Sequence, residues 1–517
     1  MNGAETLVKT LLASGVNVCF ANPGTSEMHF VAALDQHPEM HCILCLFEGG
    51  ASGAADGYFR MSGQVAATLL HLAPGFGNAF ANLHNAAKAG SGVLNIVGDH
   101  ATYHQQYESP LRGDTVGIST TISHWTRMVD TAVAVARDGA EAICAARSQN
   151  GQIATLILPA DTAWDAASAP EISAPPSALR RPEAAQIAAA AKALRLPGAM
   201  FLIDGSVLWG GARFIAARIA KATGCQLFCP HFAARIGRGE GALMVRRLAF
   251  RIADNIRLMA DVPALVLCGT SRPAGFFAYP GLPSVPEPAG CAVLDLCGPD
   301  MDVGWTLQAL AQALGCVDLD LGPQDFQPLA LPPVPTGPIT LPKLGQAIAA
   351  LMPQDTIVVD EMISSAPALV PEMLGARAHD WLNISGGAIG YGLPCAVGAA
   401  VACPVRKVLA LQADGSGMYT LQSLWTMARE ALDVTVVIFA NRGYQILRLE
   451  MAAVGVTTPG RNASAMFDID GPELDWVALA KGHGVDGVRV TDMNQFAAAF
   501  GAAMQRKGPY LIEVICP

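Results

Sequence analysis

Residues 407–443 restrict the possible folds of this chain more than any other stretch. An apolar run at 408–411 is followed by the turn-forming residues 413–417, a helical segment at about 421–432 and a second apolar run at 434–440. Two continuous apolar runs joined by a crossover helix are typical of parallel strands in a sheet that is covered on both faces. This stretch therefore predicts an α/β sheet.

Two polar residues, Asp414 and Asn441, directly follow these two apolar runs. Open α/β sheets bind ligands at the carboxyl ends of their strands. Hard oxygen ligands at that edge, beside a glycine backbone that can approach a phosphate, suit Mg²⁺ carrying a diphosphate. A structural interpretation also fits, because Asp414 could cap a helix and Asn441 could form a turn. These residues alone leave both interpretations open.

The composition excludes some classes of protein. Hydrophobic residues make up 52% of the 517 residues and charged ones 15%, so we expect a folded chain with much surface buried between subunits. A net charge of −10 argues against nucleic-acid binding. Glycine and proline interrupt the uncharged stretches 61–87 and 381–405, which argues against membrane spans. Scattered cysteines and the absence of a signal-peptide pattern in residues 1–15 predict a cytoplasmic protein.

Three segments share an alternation of strands and helices, which predicts parallel sheets with helices on both faces. We expect three doubly wound α/β domains at residues 1–167, 184–321 and 343–517. The segments 168–182 and 322–342 are rich in proline, as is typical of linkers. The middle domain contains few polar residues that converge, so the candidate site residues fall in the first and third domains.

Two strand-end residues of the first domain are candidates for chemistry. Glu48 follows an apolar run at 43–47, and His71 follows another at 66–70. A structural role is the commoner one for each residue type in this position. The helix dipole favours a glutamate at the start of a helix, and a single strand-end histidine usually has a structural hydrogen bond.

A competing phosphate-binding signal is the pair Gly75-x-Gly77 at a strand-to-helix turn, with Asp99 at the end of the following strand. The dinucleotide-binding fingerprint needs a third glycine where Phe80 stands. A nicotinamide site is therefore the weaker interpretation.

Several motifs, in order along the chain, resemble the thiamine-diphosphate-dependent enzymes of the pyruvate decarboxylase and acetolactate synthase superfamily. Asp414-Gly415-Ser416 followed by Asn441 resembles their G-D-G…N motif, with Ala413 in place of the first glycine. The other matching motifs are Asn22-Pro23-Gly24-Thr25-Ser26-Glu27, Phe47-Glu48-Gly49-Gly50-Ala51, His71-Leu72-Ala73-Pro74-Gly75 and Gly386-Gly387-Ala388-Ile389-Gly390-Tyr391-Gly392-Leu393-Pro394. Within the superfamily the chain is most similar to benzoylformate decarboxylase and to acetolactate-synthase-like large subunits.

The resemblance implies thiamine diphosphate and Mg²⁺ as cofactors and assigns the metal site to the third domain. Asp414, the Asn441 side chain and the Gly443 carbonyl would hold Mg²⁺ against the diphosphate. Gly415 and Ser416 would supply backbone donors to the same diphosphate.

The remaining cofactor contacts implied by the resemblance lie elsewhere in the chain. Ser364 would be a further diphosphate contact. Ile389 would be the apolar wedge that bends the cofactor, and the Gly387 carbonyl would accept a hydrogen bond from its pyrimidine amino group. Glu48 would bind the pyrimidine ring nitrogen, and in the family this glutamate comes from the neighbouring subunit. We therefore expect a homodimer at minimum and a homotetramer as the usual state, with active sites between subunits.

The same resemblance implies that a 2-oxo acid is decarboxylated. His71 matches a proton-relay histidine of benzoylformate decarboxylase and is the candidate acid/base. Thr25 and Ser26 lie where that family binds the substrate carboxylate, and Leu111 is a candidate lining residue. One departure is that Pro280 stands near the position of the decarboxylase's second active-site histidine.

Several functions stay open on the sequence alone. We expect a benzoylformate-decarboxylase-like lyase, with carboligation of the product carbon to a second carbonyl as a further outcome. An acetolactate-synthase-type transferase is the main alternative, and a flavin-containing oxidase or a non-catalytic cofactor-binding homologue is less favoured. Some relatives hold FAD in the middle domain, but FAD is not expected here. The sequence does not indicate which 2-oxo acid is used.

Overall fold

Three β-sheets, each covered by helices, make up the fold over residues 1–516, the part of the chain that the computed structural model describes. Pro517, the last residue of the predicted third domain, lies outside the described residues. The predicted class of three parallel-sheet α/β units is confirmed. Over the same residues, none of the helices combines the length and the hydropathy needed to cross a membrane.

The first sheet consists of the parallel strands β1 (Val18–Ala21), β2 (His41–Leu44), β3 (Ala66–Leu70), β4 (Val93–Asp99), β5 (Trp125–Met128) and β6 (Ile153–Pro159). Its helices are α1 (Gly3–Ala13), α2 (Met28–Asp35), α3 (Glu48–Ser62), α4 (Leu72–Ala89), α5 (Thr115–Thr120), α6 (Val135–Arg147) and α7 (Ala160–Trp164). The strand order is β2-β1-β3-β4-β6-β5. Separate hydrophobic cores lie on the two faces of this sheet, as expected for buried parallel strands.

The middle segment contains the strands β7 (Met200–Ile203), β8 (Gln226–Cys229), β9 (Arg235–Arg238), β10 (Arg246–Arg247), β11 (Ala264–Cys268) and β12 (Ala292–Cys297). Its helices are α8 (Ala184–Leu194), α9 (Arg213–Thr223), α10 (Ile252–Leu258) and α11 (Val303–Leu314). The second sheet has the order β10-β8-β7-β11-β12 and leaves out β9.

The third segment contains the strands β13 (Ile357–Glu361), β14 (His379–Asn383), β15 (Val408–Ala413), β16 (Val434–Ala440), β17 (Asp486–Val490) and β18 (Tyr510–Ile515). Its helices are α12 (Leu341–Leu351), α13 (Ala366–Leu369), α14 (Gly392–Ala402), α15 (Asp414–Gly417), α16 (Ser423–Arg429), α17 (Gln445–Ala453), α18 (Arg461–Phe467), α19 (Trp476–Gly482) and α20 (Met493–Gln505). The sheet order is β17-β18-β16-β15-β13-β14-β9. Strand β9 therefore crosses from the middle segment and pairs antiparallel with β14.

Helices α3 and α14 join the first and third sheets through one continuous hydrophobic core. Their backbones pack so closely that a Cβ atom on Gly57 would lie 2.1 Å from the carbonyl oxygen of Cys395. A Cβ atom on Gly398 would lie 1.8 Å from the carbonyl oxygen of Ala54. Larger side chains at these two glycines would force the helices apart, since protein interiors have little free volume.

A buried arginine strengthens the same junction. Arg60 of α3 donates hydrogen bonds to both carboxylate oxygens of Asp56, over 2.8 and 2.6 Å. It also donates to the carbonyl oxygen of Asn383 at 2.6 Å and to the Tyr391 hydroxyl at 3.0 Å, both in the third segment. The ion pair and its hydrogen bonds therefore link the strand and loop that lead into α14 to the first domain.

Replacing Arg60 with alanine should destabilise this junction strongly. The Asp56 carboxylate would stay buried without its cation, a change that typically costs about 3–5 kcal/mol. Urea unfolding followed by tryptophan fluorescence would measure the loss. Arg180→Ala, which removes an exposed partner of Asp300, is the control and should show no measurable change. Equal stability of the two variants would contradict a structural role for Arg60.

Candidate active site

Asp414 and Asn441 lie beside each other at the carboxyl ends of two neighbouring strands. Strands β15 and β16 pair in parallel, and Asp414 and Asn441 are the residues that directly follow them. The backbone N–H of Arg442 donates to Asp414 Oδ2 over 2.7 Å, and that of Gly415 donates to Oδ1 over 2.8 Å. Both carboxylate oxygens keep a lone pair for a further partner.

The turn after β16 is held in a restricted backbone conformation. Gly443 N–H donates to the Asn441 Oδ1 atom at 3.1 Å, and Arg442 has φ of 58°, in the left-handed region. This conformation suits asparagine or glycine better than arginine. The Arg442 guanidinium extends to Glu473, 2.5 Å away, instead of adding a positive charge to Asp414.

The surroundings of Asp414 fit a divalent cation. This carboxylate is 3% exposed, and within residues 1–516 no lysine, arginine or histidine nitrogen lies within 4 Å of it. Burial raises its pKa, and the nearby Glu513 carboxylate acts in the same direction. The described residues contain no cluster of three His, Cys, Asp or Glu side chains suited to a metal. One carboxylate with amide and carbonyl oxygens is instead the hard donor set that Mg²⁺ takes with a phosphate.

The loop at 386–391, which we call the wedge loop, connects β14 to α14 and carries Ile389. Gly387 and Gly390 have φ of 75° and 90°, so both adopt backbone conformations that glycine favours. Asn85 of α4 donates to the Ala388 carbonyl at 2.8 Å and accepts from the Ala388 N–H at 3.1 Å. Asn82, also on α4, donates to the Gly390 carbonyl at 3.1 Å. The first domain therefore holds one side of this loop.

Glu361 holds the other side of the wedge loop. This carboxylate, at the end of β13, accepts hydrogen bonds from the Gly390 N–H at 2.6 Å and from the Gly392 N–H. It is 1% exposed, and its burial raises its pKa to about 7. The sequence interpretation missed Glu361, although it stands at a strand end as Glu48 was expected to do.

A cavity of about 740 Å³ opens between the middle and third segments. Ser364, Gly387 and Ile389 line it, so these three predicted cofactor contacts lie around one space. The opposite wall is formed by the middle-segment aromatic residues Phe232, Phe250, Phe276 and Phe277. The sequence interpretation considered only polar residues of the middle domain and did not predict this aromatic wall. Loops that are distant in the sequence bring its side chains together, and no local pattern signals this.

Glu48 is the first residue of α3 and is 6% exposed. Asn78 of α4 donates to its Oε2 atom at 3.0 Å, and a Cβ atom on Gly75 would lie 3.0 Å from Oε1. The carboxylate therefore projects into a space that small residues keep open. Glycine at position 75 thus has a packing role, separate from any dinucleotide fingerprint.

His71 contacts a buried glutamate that the sequence interpretation treated only as part of a motif. His71 Nδ1 lies 3.0 Å from Glu27 Oε2 and 3.3 Å from Ser26 Oγ. Glu27 is 4% exposed and also accepts from the Gly24 N–H at 2.7 Å. Because a carboxylate only accepts, His71 donates through Nδ1–H and leaves Nε2 available. Thr25 is exposed next to this group.

The predicted site residues thus form two groups within the chain. Glu48, His71 and Ser26 lie at the strand ends of the first sheet, and Leu111 is exposed on the loop that precedes α5. The second group lies in the third segment: Ser364, Gly387 and Ile389 line the cavity, whereas Asp414 and Asn441 follow β15 and β16 and are not among its lining residues. The cavity is lined only by residues of the middle and third segments. Among the described residues, no hydrogen bond joins the carboxylate of Glu48 or the imidazole of His71 to the second group. The joint site remains a prediction.

Side-chain oxygen atoms at strand ends, a loop with two left-handed glycines and paired α/β domains are typical of a cofactor-dependent α/β enzyme. Family models agree with this class: residues 1–124 match the N-terminal TPP-binding domain of thiamine pyrophosphate enzymes, and residues 372–514 match their C-terminal TPP-binding domain. The chain belongs to the thiamine pyrophosphate enzyme family. The predicted cofactor thiamine diphosphate is confirmed at the level of the family.

Individual relatives span both chemistries considered above. The chain is 46% identical to the Mycobacterium tuberculosis protein named "Putative acetolactate synthase large subunit IlvX". The match covers 100% of this chain and 99% of the relative. It is 27% identical, over 97% of its length and 96% of the relative, to benzoylformate decarboxylase of Pseudomonas aeruginosa. The structure of a Rhodococcus jostii thiamine diphosphate-dependent 4-hydroxybenzoylformate decarboxylase has a TM-score of 0.86 at 24% identity, covering 100% of this chain and 99% of the other. That likeness shows the fold.

Asp414→Ala should abolish the Mg²⁺ dependence of cofactor binding. The variant lacks the only carboxylate of the expected donor set, so we expect the Kd for thiamine diphosphate in the presence of Mg²⁺ to rise at least about 100-fold. Calorimetric titration with and without EDTA measures this. Asp486→Ala removes an exposed carboxylate and should bind as the wild type does. A wild-type Kd for Asp414→Ala would exclude Asp414 as a ligand.

Glu361 should make the stability of the cofactor-free protein depend on pH. The pKa of this carboxyl group is raised from 4.5 to about 7 by burial, so the folded chain binds more protons than the unfolded chain between these values. Its contribution to the free energy of unfolding is therefore complete below about pH 4.5 and is lost as the pH rises through about 7. The loss should be on the order of 3 kcal/mol. Urea unfolding at several pH values measures it.

Glu361→Gln is the matched comparison for this pH dependence, because glutamine has a similar shape and does not titrate. The difference in unfolding free energy between wild type and variant should change with pH in this window. A constant difference would contradict the assignment to Glu361.

Proposed function

We propose that this chain is a Mg²⁺- and thiamine-diphosphate-dependent decarboxylase of a 2-oxo acid, a carbon–carbon lyase. The observation that carries this proposal is His71, oriented by Glu27 over 3.0 Å and adjacent to Ser26, at the same sheet edge as Glu48. A proton relay at this edge suits a reaction that takes up one proton in each turnover. The 27% identity to benzoylformate decarboxylase over 97% of the chain supports it.

The proposed cofactor contacts divide by function. When bound, thiamine diphosphate supplies a nucleophilic carbon and an electron sink. Asp414, Asn441 and the Gly443 carbonyl would hold Mg²⁺. Gly415, Ser416 and Ser364 would bind the diphosphate, while Ile389 and the Gly387 carbonyl would support the bent pyrimidine end. The hydrogen bonds that Glu361 accepts, and those that Asn82 and Asn85 form, preset the backbone that carries this wedge.

Glu48 would bind the pyrimidine ring nitrogen through its carboxyl group. Its hydrogen bond from Asn78 occupies Oε2 and leaves Oε1 for that contact. A carboxyl group held in a buried position can share its proton with the ring nitrogen without competition from water.

His71 and its neighbours would handle the substrate. The Ser26 hydroxyl and Thr25 lie where a substrate carboxylate would bind, and His71 Nε2 would give or take the proton. The overall reaction joins a 2-oxo acid anion with one proton and yields an aldehyde and carbon dioxide. The carbon–carbon bond to the carboxylate breaks, and a carbon–hydrogen bond forms in its place.

A second copy of the chain would bring the two groups of site residues together. Enzymes of this family act on small molecules and typically oligomerise. The cavity is lined only by the middle and third segments, so a Glu48 from another chain would complete it. We propose a homodimer as the minimum unit and a homotetramer as the usual state, and light scattering of the purified protein tests this.

Acetolactate-synthase-type carboligation is the second candidate, and the 46% identity to the mycobacterial relative favours it. Both reactions begin with loss of carbon dioxide from a 2-oxo acid. They differ in the acceptor of the product carbon, which is a proton in one case and a second carbonyl in the other. Mass analysis of the products from pyruvate and from aryl 2-oxo acids separates them. The visible absorbance of the purified protein tests for flavin.

Purified holoenzyme with Mg²⁺ should release carbon dioxide from at least one member of a 2-oxo acid panel. Glu48→Gln should bind thiamine diphosphate nearly as well as wild type but release carbon dioxide at least roughly 10²-fold more slowly, because the amide cannot transfer the proton. Glu39→Gln alters an exposed glutamate and is the control.

Two results would count against this proposal. Absence of carbon dioxide from every 2-oxo acid tested would contradict decarboxylation as a whole. Wild-type turnover by Glu48→Gln would remove Glu48 from the mechanism and leave the rest standing.

A further inference from the structure

Glu450 is a carboxylate in the cavity that the proposed mechanism does not use. It lies on α17 and lines the cavity together with Ile446, Leu447 and the wedge-loop residue Ile389. The Tyr279 hydroxyl, from the middle segment, donates a hydrogen bond to Glu450 Oε2 over 2.6 Å. Within residues 1–516, Glu450 Oε1 is buried without a hydrogen-bond partner. An unpaired carboxylate oxygen is costly, so this atom has capacity for a proton or for a donor group of an occupant.

The other charged or titratable groups that face the cavity are His231, Arg247, Arg251, Asp254, Asp360 and Glu361. Most of them already have partners. Glu361 accepts from the Gly390 and Gly392 N–H groups. Asp360 accepts from the Met362 N–H at 3.0 Å, and Asp254 pairs with Arg257.

Neither the arginines nor the histidine of the cavity is suited to donate a proton near pH 7, so Glu450 is the candidate proton donor. Arg247 donates to the Asn383 side chain at 3.3 Å, and arginine does not release its proton. Arg251 lies near Tyr279, on the side of the Tyr279–Glu450 pair. His231 contacts the Leu248 carbonyl through Nδ1 at 3.0 Å, and burial lowers its pKa to about 4, so it stays neutral near pH 7.

We propose that Glu450, held in place by Tyr279, is a second acid/base residue of the site and protonates the carbon that loses carbon dioxide. This inference rests on the proposed decarboxylase function and adds to it a proton donor on the cavity side. Tyr279 is then a positioning residue. It adjoins Pro280, at the point where the chain departs from the two-histidine pattern of the decarboxylase it resembles.

The proton balance of the step is simple. The carbon–carbon bond to the substrate carboxylate breaks, the carboxylate departs as carbon dioxide, and the bonding electron pair stays with the remaining fragment. Glu450 gives a proton from Oε1 to the carbon left behind, and a carbon–hydrogen bond forms there. Glu450 is left as the carboxylate, whose Oε2 atom accepts the hydrogen bond of the Tyr279 hydroxyl. Solvent returns the proton before the next turnover, so no oxidant or reductant is needed.

Chemical rescue of Glu450→Ala tests this role. The loaded variant should release about one carbon dioxide per site quickly and then form aldehyde at least roughly 10²-fold more slowly than wild type. Added sodium formate should enter the space left by the side chain and restore aldehyde formation at least about 10-fold. Sodium chloride at equal ionic strength controls for screening and should restore nothing.

Three further measurements separate catalysis from structure. The Kd for thiamine diphosphate of Glu450→Ala should stay within about threefold of the wild-type value, because the residue binds no part of the diphosphate. Tyr279→Phe should show a smaller loss of aldehyde formation, since the carboxylate remains but is less well oriented. Asp254→Ala removes a carboxylate from the same cavity that is already paired with Arg257, and should need no rescue. If Glu450→Ala does not fold, the isosteric Glu450→Gln replaces it in the burst measurement.

The outcomes separate this inference from the proposed function. If the wild type releases carbon dioxide and Glu450→Ala is just as active, the role of Glu450 is overturned and the proposed function stands. The same holds if Glu450→Ala is slow and formate does not restore its aldehyde formation. A wild-type holoenzyme that releases no carbon dioxide from any 2-oxo acid would overturn both.

Discussion

The close contact between α3 and α14 is the feature on which the rest of the site depends. Gly57 and Gly398 allow the two backbones to touch, and the buried Arg60–Asp56 pair ties the same junction to the residues that precede α14. Because the wedge loop leads directly into α14, its position relative to the first domain follows from this packing. Interiors of this density move as units, so the loop is preset before any ligand arrives.

Several elements of the fold were predictable because their residues form continuous apolar runs. Strands β3 and β16 coincide with the predicted runs at 66–70 and 434–440. Parallel strands that are buried on both faces consist almost entirely of apolar residues, so the run and the strand have the same bounds. Strand β2 lies earlier than predicted, because residues 45–47 are apolar but already lead into α3. Strands β5 and β9 were missed: they lie at sheet edges, carry polar residues and pair with distant parts of the chain.

Prediction of the site residues followed the same division. The neighbouring positions of Asp414 and Asn441 could be predicted, because the carboxyl ends of adjacent parallel strands meet at one edge of a sheet. Their role as metal ligands came from the family resemblance and stays a prediction. Glu361, Glu27 and Asn85 could not, since their roles depend on which buried amide or imidazole each one meets in the folded chain. The aromatic wall of the cavity likewise arises only when the middle segment folds against the third.

Helix α4 has a consequence for how this protein can change over evolutionary time. Its first half carries Asn78, which holds the Glu48 carboxylate, and its second half carries Asn82 and Asn85, which hold the wedge loop. In a chimaera that took only the first or only the third domain from a homologue, the asparagines of α4 and the wedge loop would come from different proteins and would not match. The first and third domains of this chain would therefore have to be exchanged together to keep both sets of contacts.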